Sequence, residues 1–225
     1  MKKEVYQRMD AYMLSCMEDS AHDAQHIYRV LFSALQIAQT LPEVDYDVLI
    51  TACLLHDVGR REQFADPSVC HAQIGSEKAR KFLLEEGFSA EFAEKVAHCI
   101  LTHRFRKANP PQTVEAKILF DADKLDVTGA VGIARTLMYK ADTYEPLYTF
   151  REDGTVSNGE GERAPSFFRE YKFKLERLYD RFYTEAGSAM AAERRQAAVD
   201  YYHALYREVS AGYDAGRQSL LQLLD

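Results

Sequence analysis

The segment Tyr46-Asp-Val-Leu-Ile-Thr-Ala-Cys-Leu-Leu-His-Asp-Val-Gly59 is an apolar run that ends in a histidine and an aspartate. Residues 46–56 are apolar enough to predict a buried helix, and Gly59 is typical of the residue just beyond a helix end. An imidazole beside a carboxylate in apolar surroundings costs free energy unless another group compensates both. A divalent cation would do so, and the mixed ligands His56 and Asp57 favour Mn, Fe, Zn or Ni over Ca.

Helical spacing continues on both sides of this segment. Before it, His26, Val30 and Ile37 recur at the interval that places residues on one face of a helix. No segment has the pattern of a parallel sheet and no internal repeat is evident, so the predicted fold class is all-α. Further helices are expected at about residues 71–86, 89–104, 113–140 (with a candidate break near Gly129 and Gly132), 166–186 and 190–224.

The stretch 142–165 is polar and interrupts the helical pattern. Its Asp153-Gly154 and Asn158-Gly159 pairs are turn signals, and they predict a short hairpin of residues 147–150 against residues 155–157. Long loops in compact domains are usually functional or disordered. A lid over a site and a surface excursion are therefore both open interpretations of this stretch.

Size and composition narrow the class of protein. A chain of 225 residues is long enough for one domain with a sizeable core. The net charge of −7 disfavours a nucleic-acid polymer as partner, because such binding requires many phosphates to be neutralised. The longest apolar stretch, residues 48–55, is too short to cross a membrane. The start lacks a secretion signal and no cysteines form a CxxC pair, so a cytoplasmic protein is predicted.

His26 is the candidate ligand that precedes the His-Asp pair. It opens a helix and shares a face with Val30 and Ile37, so its side chain should point inward. His22 lies four residues earlier on the same face and is a rival ligand. A capping or surface role is the alternative interpretation of His22, and Asp23 beside it suits a helix cap.

Three aspartates lie close together later in the chain. Asp121 and Asp123 are about 200° apart on a helix, so only one of the two can face a given site. Asp126 follows Asp123 on the same side of that helix. It could therefore orient a ligand or a bound water, as outer partners of metal ligands do.

The order His26…His56-Asp57…Asp123 on successive helices resembles the H…HD…D signature of the HD superfamily of metal-dependent phosphohydrolases. The flanking segments are similar to those of a bacterial branch of small stand-alone members, and the likeness covers roughly residues 20–210. By that likeness Asp123, rather than Asp121, is the ligand. The matching segments are His22-Asp-Ala-Gln-His-Ile-Tyr-Arg29-Val, Leu54-Leu-His-Asp-Val-Gly59, Asp121-Ala-Asp-Lys-Leu-Asp126 and Gly132-Ile-Ala-Arg135.

The resemblance implies a single HD-type domain over residues 1–225, built as a helical bundle with additional C-terminal helices. Its core would span about residues 20–140, followed by the insertion or lid at about 142–165 and C-terminal helices at 166–224. The implied cofactor is a divalent transition metal (Mn, Fe, Ni, Co or Zn, with Mg as an alternative). Its implied ligands are His26, His56, Asp57 and Asp123.

A second metal is a further implication of the resemblance. In binuclear HD phosphodiesterases, histidines at places similar to His71 and His103 bind a second metal. Arg60 likewise resembles the lysine that follows the glycine in those enzymes. A second metal at His71 and His103 is therefore one interpretation, and structural or substrate-contacting roles for both histidines are the other.

The predicted function is hydrolysis of a small phosphorylated substrate, with a nucleotide as the leading expectation. A bound cation neutralises phosphate oxygens and lowers the pKa of its water, so the attacking group would be a water that the metal activates. Asp57, Asp123 or Asp126 would accept a proton, and Arg60 borders the metal pair as a catalytic candidate. The candidate phosphate ligands are Arg60, Lys124, Arg135 and Arg29.

Two alternatives remain open. One is a non-catalytic ligand-sensing module with a structural metal, although structural zinc sites usually close with cysteine and histidine rather than with carboxylates. The other is a binuclear phosphomonoesterase or phosphodiesterase. This chain departs from the nucleotide pyrophosphohydrolases of the branch at residues 56–61 and 102–106, which weakens the transfer of their specificity. The sequence makes no prediction of oligomeric state.

Overall fold

A computed structural model describes residues 1–17, 24–104 and 109–224 of the chain. The rival pair His22 and Asp23 lies outside the described residues. The chain forms two compact units, Met1–Asp126 with Phe182–Ser188, and Val127–Arg181 with Ala189–Asp225. Each unit is described by itself, and the expectation of a single domain stays a prediction.

The first unit is a set of helices, and the all-α prediction is confirmed, since no strand occurs in the part of the chain that is described. The predicted helices at 46–56, 71–86 and 89–104 are present with small changes in their ends. Two further helices, α1 and α4, were not predicted. The helices are α1 (Lys3–Ser15), α2 (Ala24–Ala38), α3 (Tyr46–Leu55), α4 (Arg60–Ala65), α5 (His71–Glu85), α6 (Ala90–Thr102) and α7 (Val114–Leu125).

Helix α3 forms the centre of this unit. It is apolar on all sides, as expected of a helix that other helices surround, and α1, α2, α6 and α7 pack against it. Asp45 caps its start by accepting hydrogen bonds from the backbone N–H groups of Asp47 and Val48. The cap and the apolar run together fix where α3 ends, and they place His56 and Asp57 inside the unit.

The turn that follows Asp57 packs directly against α5. A Cβ atom added to Gly59 would lie 2.4 Å from the His71 carbonyl oxygen and 2.6 Å from the Gly75 nitrogen. Gly75 lies in the second turn of α5, so the two segments meet main chain to main chain. The turn can approach α5 this closely because Gly59 lacks a side chain, whereas a Cβ atom at Gly75 would lie 3.4 Å from the Gly59 nitrogen, an ordinary contact.

The second unit contains the later helices, which are α8 (Gly129–Asp142), α9 (Phe167–Phe173), a 3-10 turn (Leu175–Arg177) and most of α10 (Glu185–Leu224). The helix predicted at 113–140 is divided between α7 and α8. Gly129 has a φ of 61°, and its N–H donates to the Tyr179 hydroxyl at 3.1 Å. This left-handed conformation favours glycine and separates the two helices.

The helix predicted at 166–186 is shorter than expected. It ends at Phe173 and continues only as the 3-10 turn, and α10 then begins at Glu185. The backbone N–H groups of Tyr183 and Thr184 donate to the carboxylate of Asp121 instead of to helical carbonyl oxygens. A contact distant in the sequence therefore replaces the local helical hydrogen bonds.

The polar stretch 142–165 contains a tight turn close to the predicted hairpin. Phe150 and Val156 form one antiparallel bridge, and the Arg151 N–H donates to the Thr155 carbonyl oxygen at 2.9 Å. Gly154 has a φ of 78° at the turn. Whether this stretch acts as a lid stays a prediction. No helix within the described ranges combines the length and apolar character that crossing a membrane requires, and the cytoplasmic location stays a prediction.

Candidate metal centre

Helices of the first unit bring together two groups of potential metal ligands. We define the first cluster as His26, His56 and Asp123, and the second cluster as Asp57, His71 and His103. Within each cluster, one ligand atom from each residue lies within 4.8 Å of the others. The ligands come from α2, from the ends of α3 and α6, from the first residue of α5 and from α7.

The histidines of both clusters are shielded from solvent. The exposed fraction is at most 2% for each of them, and it is 1% for Asp57. Asp123 differs, because 16% of its side chain is exposed. Burial lowers the pKa of His56 and lowers that of His103 to about 4, so both imidazoles are neutral near neutral pH. Neutral imidazole is the form that binds a metal.

Backbone carbonyl groups fix the tautomers of two of these histidines. His56 Nδ1 lies 2.8 Å from the Cys53 carbonyl oxygen, and His103 Nδ1 contacts the Ile100 carbonyl oxygen in the same way. A carbonyl oxygen only accepts, so the hydrogen of each neutral ring is on Nδ1. The Nε2 atom of each ring therefore presents a lone pair.

Side chains fix the other two histidines in the same tautomer. His26 Nδ1–H donates to Asp126 Oδ2 at 2.7 Å. His71 Nδ1 contacts Gln63 Oε1, whose amide nitrogen donates to the Val69 carbonyl oxygen at 3.1 Å. Because that bond turns the amide oxygen of Gln63 towards His71, the imidazole must donate. Both rings then direct an Nε2 lone pair into their cluster.

The Nε2 atoms meet in pairs without a hydrogen to share. His26 and His56 Nε2 are 3.4 Å apart in the first cluster, and His71 and His103 Nε2 are 3.2 Å apart in the second. Two facing lone pairs beside a buried carboxylate repel one another unless a cation lies between them. The donor sets of both clusters fit a divalent metal that accepts nitrogen and oxygen ligands.

Asp57 belongs to the second cluster and also borders the histidines of the first. Within the described ranges, neither of its carboxylate oxygens has a hydrogen-bond partner. Burial alone would raise the pKa of Asp57, but the Arg60 guanidinium beside it holds that pKa well below its usual value. A buried, ionised carboxylate without hydrogen bonds is a further indication of a cation ligand.

Arg60 and Lys124, two of the predicted phosphate ligands, lie next to the carboxylates of the clusters. Arg60 Nε is 2.9 Å from Asp57 Oδ1, an ion pair that lacks hydrogen-bond geometry. Lys124 Nζ is 3.8 Å from Asp123 Oδ2. Burial would raise the pKa of Asp123, and Lys124 is the main group that keeps it low. Both positive charges therefore border the centre.

Arg29 and Asp126 form a pair behind His26. Arg29 Nε donates to Asp126 Oδ1 at 2.7 Å, and its Nη2 donates to Oδ2 at 3.1 Å. Asp126 thus accepts from Arg29 and from His26 at once, which suits an orienting role. The roles of Arg29 as a phosphate ligand and of Asp126 as a catalytic group stay predictions. Arg135 lies on α8 in the second unit, and its role also stays a prediction.

Asp121 is turned away from both clusters, as its helical spacing from Asp123 predicts. Its carboxylate accepts from the Tyr183 N–H, the Thr184 N–H and the Thr184 hydroxyl at 2.7–2.8 Å. A Cβ atom at Gly187 would lie 2.7 Å from Asp121 Oδ2, so the start of α10 packs closely on this carboxylate. Asp121 therefore has a structural role, because it binds the segment that leads into α10.

Gln63 is the centre residue that sequence reasoning missed. It lies on α4, whose six residues include none that is buried, so hydrophobic spacing gave no sign of this helix. A polar residue eight positions before His71 was the only available signal.

The fold and the centre define a helical protein with buried histidine and aspartate clusters suited to divalent cations. Residues 23–128 match the model of the HD domain family. The YpgQ protein of Bacillus subtilis is 29% identical over 202 residues, which cover 88% of this chain and 89% of YpgQ. The crystal structure of YpgQ in complex with ADP has a TM-score of 0.69 at 26% identity, and it covers 91% of this chain and 95% of that chain.

Two further solved structures have similar folds. A predicted HD superfamily hydrolase from an uncultured Thermotogales bacterium is 27% identical with a TM-score of 0.60, over 90% of this chain and 91% of that chain. An HD-superfamily hydrolase from Bacillus thuringiensis is 27% identical with a TM-score of 0.68, over 94% of this chain and 100% of that chain. Residues 23–128 therefore match the HD domain, and the chain resembles small stand-alone bacterial hydrolases of the HD superfamily.

Proposed function

We propose that this protein is a metal-dependent phosphohydrolase that acts on a small phosphorylated substrate, with a nucleotide as the leading candidate. The observation that carries the proposal is the 3.4 Å approach of His26 Nε2 to His56 Nε2 when both hydrogens are held on Nδ1. With both rings neutral, that approach is favourable only when a cation lies between them. The residues that would hold the cation are His26, His56, Asp57 and Asp123.

The chain's own residues prepare the centre for an anionic substrate. When bound, a divalent cation there would offset the charge on phosphate oxygens and lower the pKa of water. Asp57 and Asp123 stay ionised because Arg60 and Lys124 lower their pKa values against the effect of burial. Arg60, with 27% of its side chain exposed, and Lys124, with 20% exposed, can also attract phosphate from solvent.

Asp123 is the carboxylate best placed to contact an attacking water. Its side chain is 16% exposed, compared with 0% for Asp57 and 4% for Asp126. Asp126 already accepts hydrogen bonds from Arg29 and His26, which leaves it little capacity to take another. We therefore assign the water-orienting role to Asp123 and the role of holding His26 to Asp126.

A nucleotide substrate is supported by a relative. YpgQ of Bacillus subtilis has been crystallised in complex with ADP, and its structure covers 91% of this chain. The two basic side chains at the centre suit the phosphate groups of such a ligand. A hydrolysis screen identifies the base and the number of phosphate groups of the substrate.

The experiment is a hydrolysis screen on protein loaded with Mn²⁺. Nucleoside mono-, di- and triphosphates are offered separately, and the release of phosphate and of pyrophosphate is measured. We expect turnover that stops on chelation, returns with Mn²⁺ and is absent from Asp57→Asn. Cation binding without turnover of any phosphorylated compound would instead favour the non-catalytic sensing module with a structural metal.

A binuclear phosphomonoesterase or phosphodiesterase is the second candidate. It is favoured by the second cluster, where His71 and His103 Nε2 approach to 3.2 Å beside Asp57. Metal content per chain separates the candidates. Two cations per chain, with one lost in His71→Ala, would favour the binuclear enzyme, and one cation that survives this substitution would favour the mononuclear one.

A further inference from the structure

Asp57 serves each cluster with a different oxygen atom. Its Oδ2 is 3.6 Å from His26 Nε2 and 3.6 Å from His56 Nε2. Its Oδ1 is 3.4 Å from His71 Nε2 and 3.7 Å from His103 Nε2. One carboxylate is therefore divided between the two clusters, and each cluster has one Asp57 oxygen available.

The closest approach of Arg60 is to one of these oxygens. Its Nε lies 2.9 Å from Oδ1, the oxygen that belongs to the second cluster. A guanidinium group keeps its positive charge at any pH that a protein tolerates. A cation that enters the second cluster meets this fixed charge at the oxygen it needs. The first cluster receives the other oxygen, Oδ2.

The two clusters also differ in the charge that surrounds them. The first contains a carboxylate of its own, Asp123, in addition to Oδ2 of Asp57, and His26 donates to the carboxylate of Asp126. The second has Asp57 as its one carboxylate, and His71 donates to the neutral amide of Gln63. A carboxylate partner makes an imidazole a stronger ligand than a neutral partner does.

We propose that the two clusters are cation sites of unequal affinity, and that the Arg60 charge at Asp57 Oδ1 keeps the second site weak. The first site fills at low cation concentration, and the second fills only when the free cation concentration is higher. This inference rests on the proposed function, in which the clusters hold cations. It assigns Arg60 a role in setting metal occupancy, distinct from contact with the substrate.

The test is a titration of metal-free protein with Mn²⁺, followed by calorimetry and by equilibrium dialysis. In the native chain we expect a tight class and a weak class of site, separated by about tenfold or more in affinity, because the repulsion between like charges a few ångströms apart is worth that much. Arg60→Gln should strengthen the weak class by about tenfold and the tight class by less, because the guanidinium lies closest to Oδ1.

Three control variants assign the effect. Arg60→Lys keeps the charge and should keep the second site weak. Arg61→Gln removes the same charge one residue further along, on an exposed position, and should behave like the native chain. The double variant Arg60→Gln/His71→Ala should lose the strengthened class, which would place that class at the second cluster.

The outcomes separate this inference from the proposed function. Two equal classes in the native chain, or an Arg60→Gln profile identical to the native one, would overturn the inference and leave the first cation site standing. If neither protein binds Mn²⁺, the proposed function fails together with the inference. Circular dichroism checks the folding of each variant. If Arg60→Gln does not fold, the inference is decided by whether the native chain has two unequal classes of site.

Discussion

The first and second clusters are built from the same kinds of side chain, but they differ in what lies behind those side chains. Each has two histidines whose Nε2 atoms approach to 3.4 Å or 3.2 Å. In the first cluster, His26 is held by a carboxylate that an arginine also contacts. In the second, His71 is held by a neutral amide. As defined, each cluster has two histidines and one aspartate, whereas the partners of these side chains predict different strengths.

Asp57→Ala should have the largest effect, because Asp57 is the residue that the clusters share. We expect cation binding to weaken by more than about 100-fold at both clusters, beyond the loss typical of an outer partner. Elemental analysis after dialysis measures this loss, with urea unfolding as the check on folding. Retention of a tightly bound cation in folded Asp57→Ala would show that the clusters do not depend on a common ligand.

Asp126→Asn should affect the first cluster alone. It removes the charge behind His26, and we expect cation binding to weaken by about 10- to 100-fold at the tight site. The affinity of the weak site is the internal control, since the second cluster does not contact Asp126 through any of its described bonds. Equal weakening of both sites would contradict the separation of the clusters.

Gln63→Leu should give a smaller effect, confined to the second cluster. Without the amide oxygen, the His71 ring is free to adopt its other tautomer, and we expect the weak site to lose at most about tenfold in affinity. Long-range proton–nitrogen NMR spectra of His71 report the tautomer directly. Gln73→Leu, an exposed glutamine on α5, is the matched control. A fixed Nδ1–H tautomer in Gln63→Leu would remove Gln63 from this role.

Asp121→Asn should leave cation binding unchanged at both clusters. The substitution weakens the bonds to Tyr183 and Thr184, so we expect the free energy of unfolding to fall by about 1–3 kcal/mol. Urea unfolding measures the loss, and Thr184→Val, which removes the hydroxyl bond to Asp121 together with the bond that this hydroxyl accepts from the Gly187 N–H, should cost a similar amount. A change in metal affinity would mean that Asp121 acts on the centre through α7.

The helices that the sequence predicted are those with a continuous apolar face. Helix α3 was evident because it is buried on all sides, and α2 because its buried residues recur at helical spacing. Helix α1 buries only Met9 and Met13, and α4 buries nothing, so neither gave a periodic signal. The end of α9 was also missed, because the chain after it bonds to Asp121 instead of continuing as a helix.

The residues of the candidate site also fall into those that the sequence predicted and those that it did not. His56 and Asp57 could be placed from the sequence because they end a buried helix, and His26 because it lies on an apolar face. Their partners could not be placed. The contact of Arg29 with Asp126 joins residues 97 positions apart, and it depends on how α2 packs against α7. Local patterns carry no information on such pairs, which only the tertiary fold brings together.

The close approach of Gly59 to α5 has a consequence for how such a centre can evolve. Any side chain at Gly59 would collide with the His71 carbonyl oxygen and the Gly75 nitrogen, and no rotamer could relieve a collision with main-chain atoms. The spacing between Asp57 and His71 therefore depends on the absence of a side chain at Gly59. During evolution, substitutions at Arg60 or Gln63 can change the chemistry of the centre, whereas the main chain of α5 excludes a side chain at Gly59.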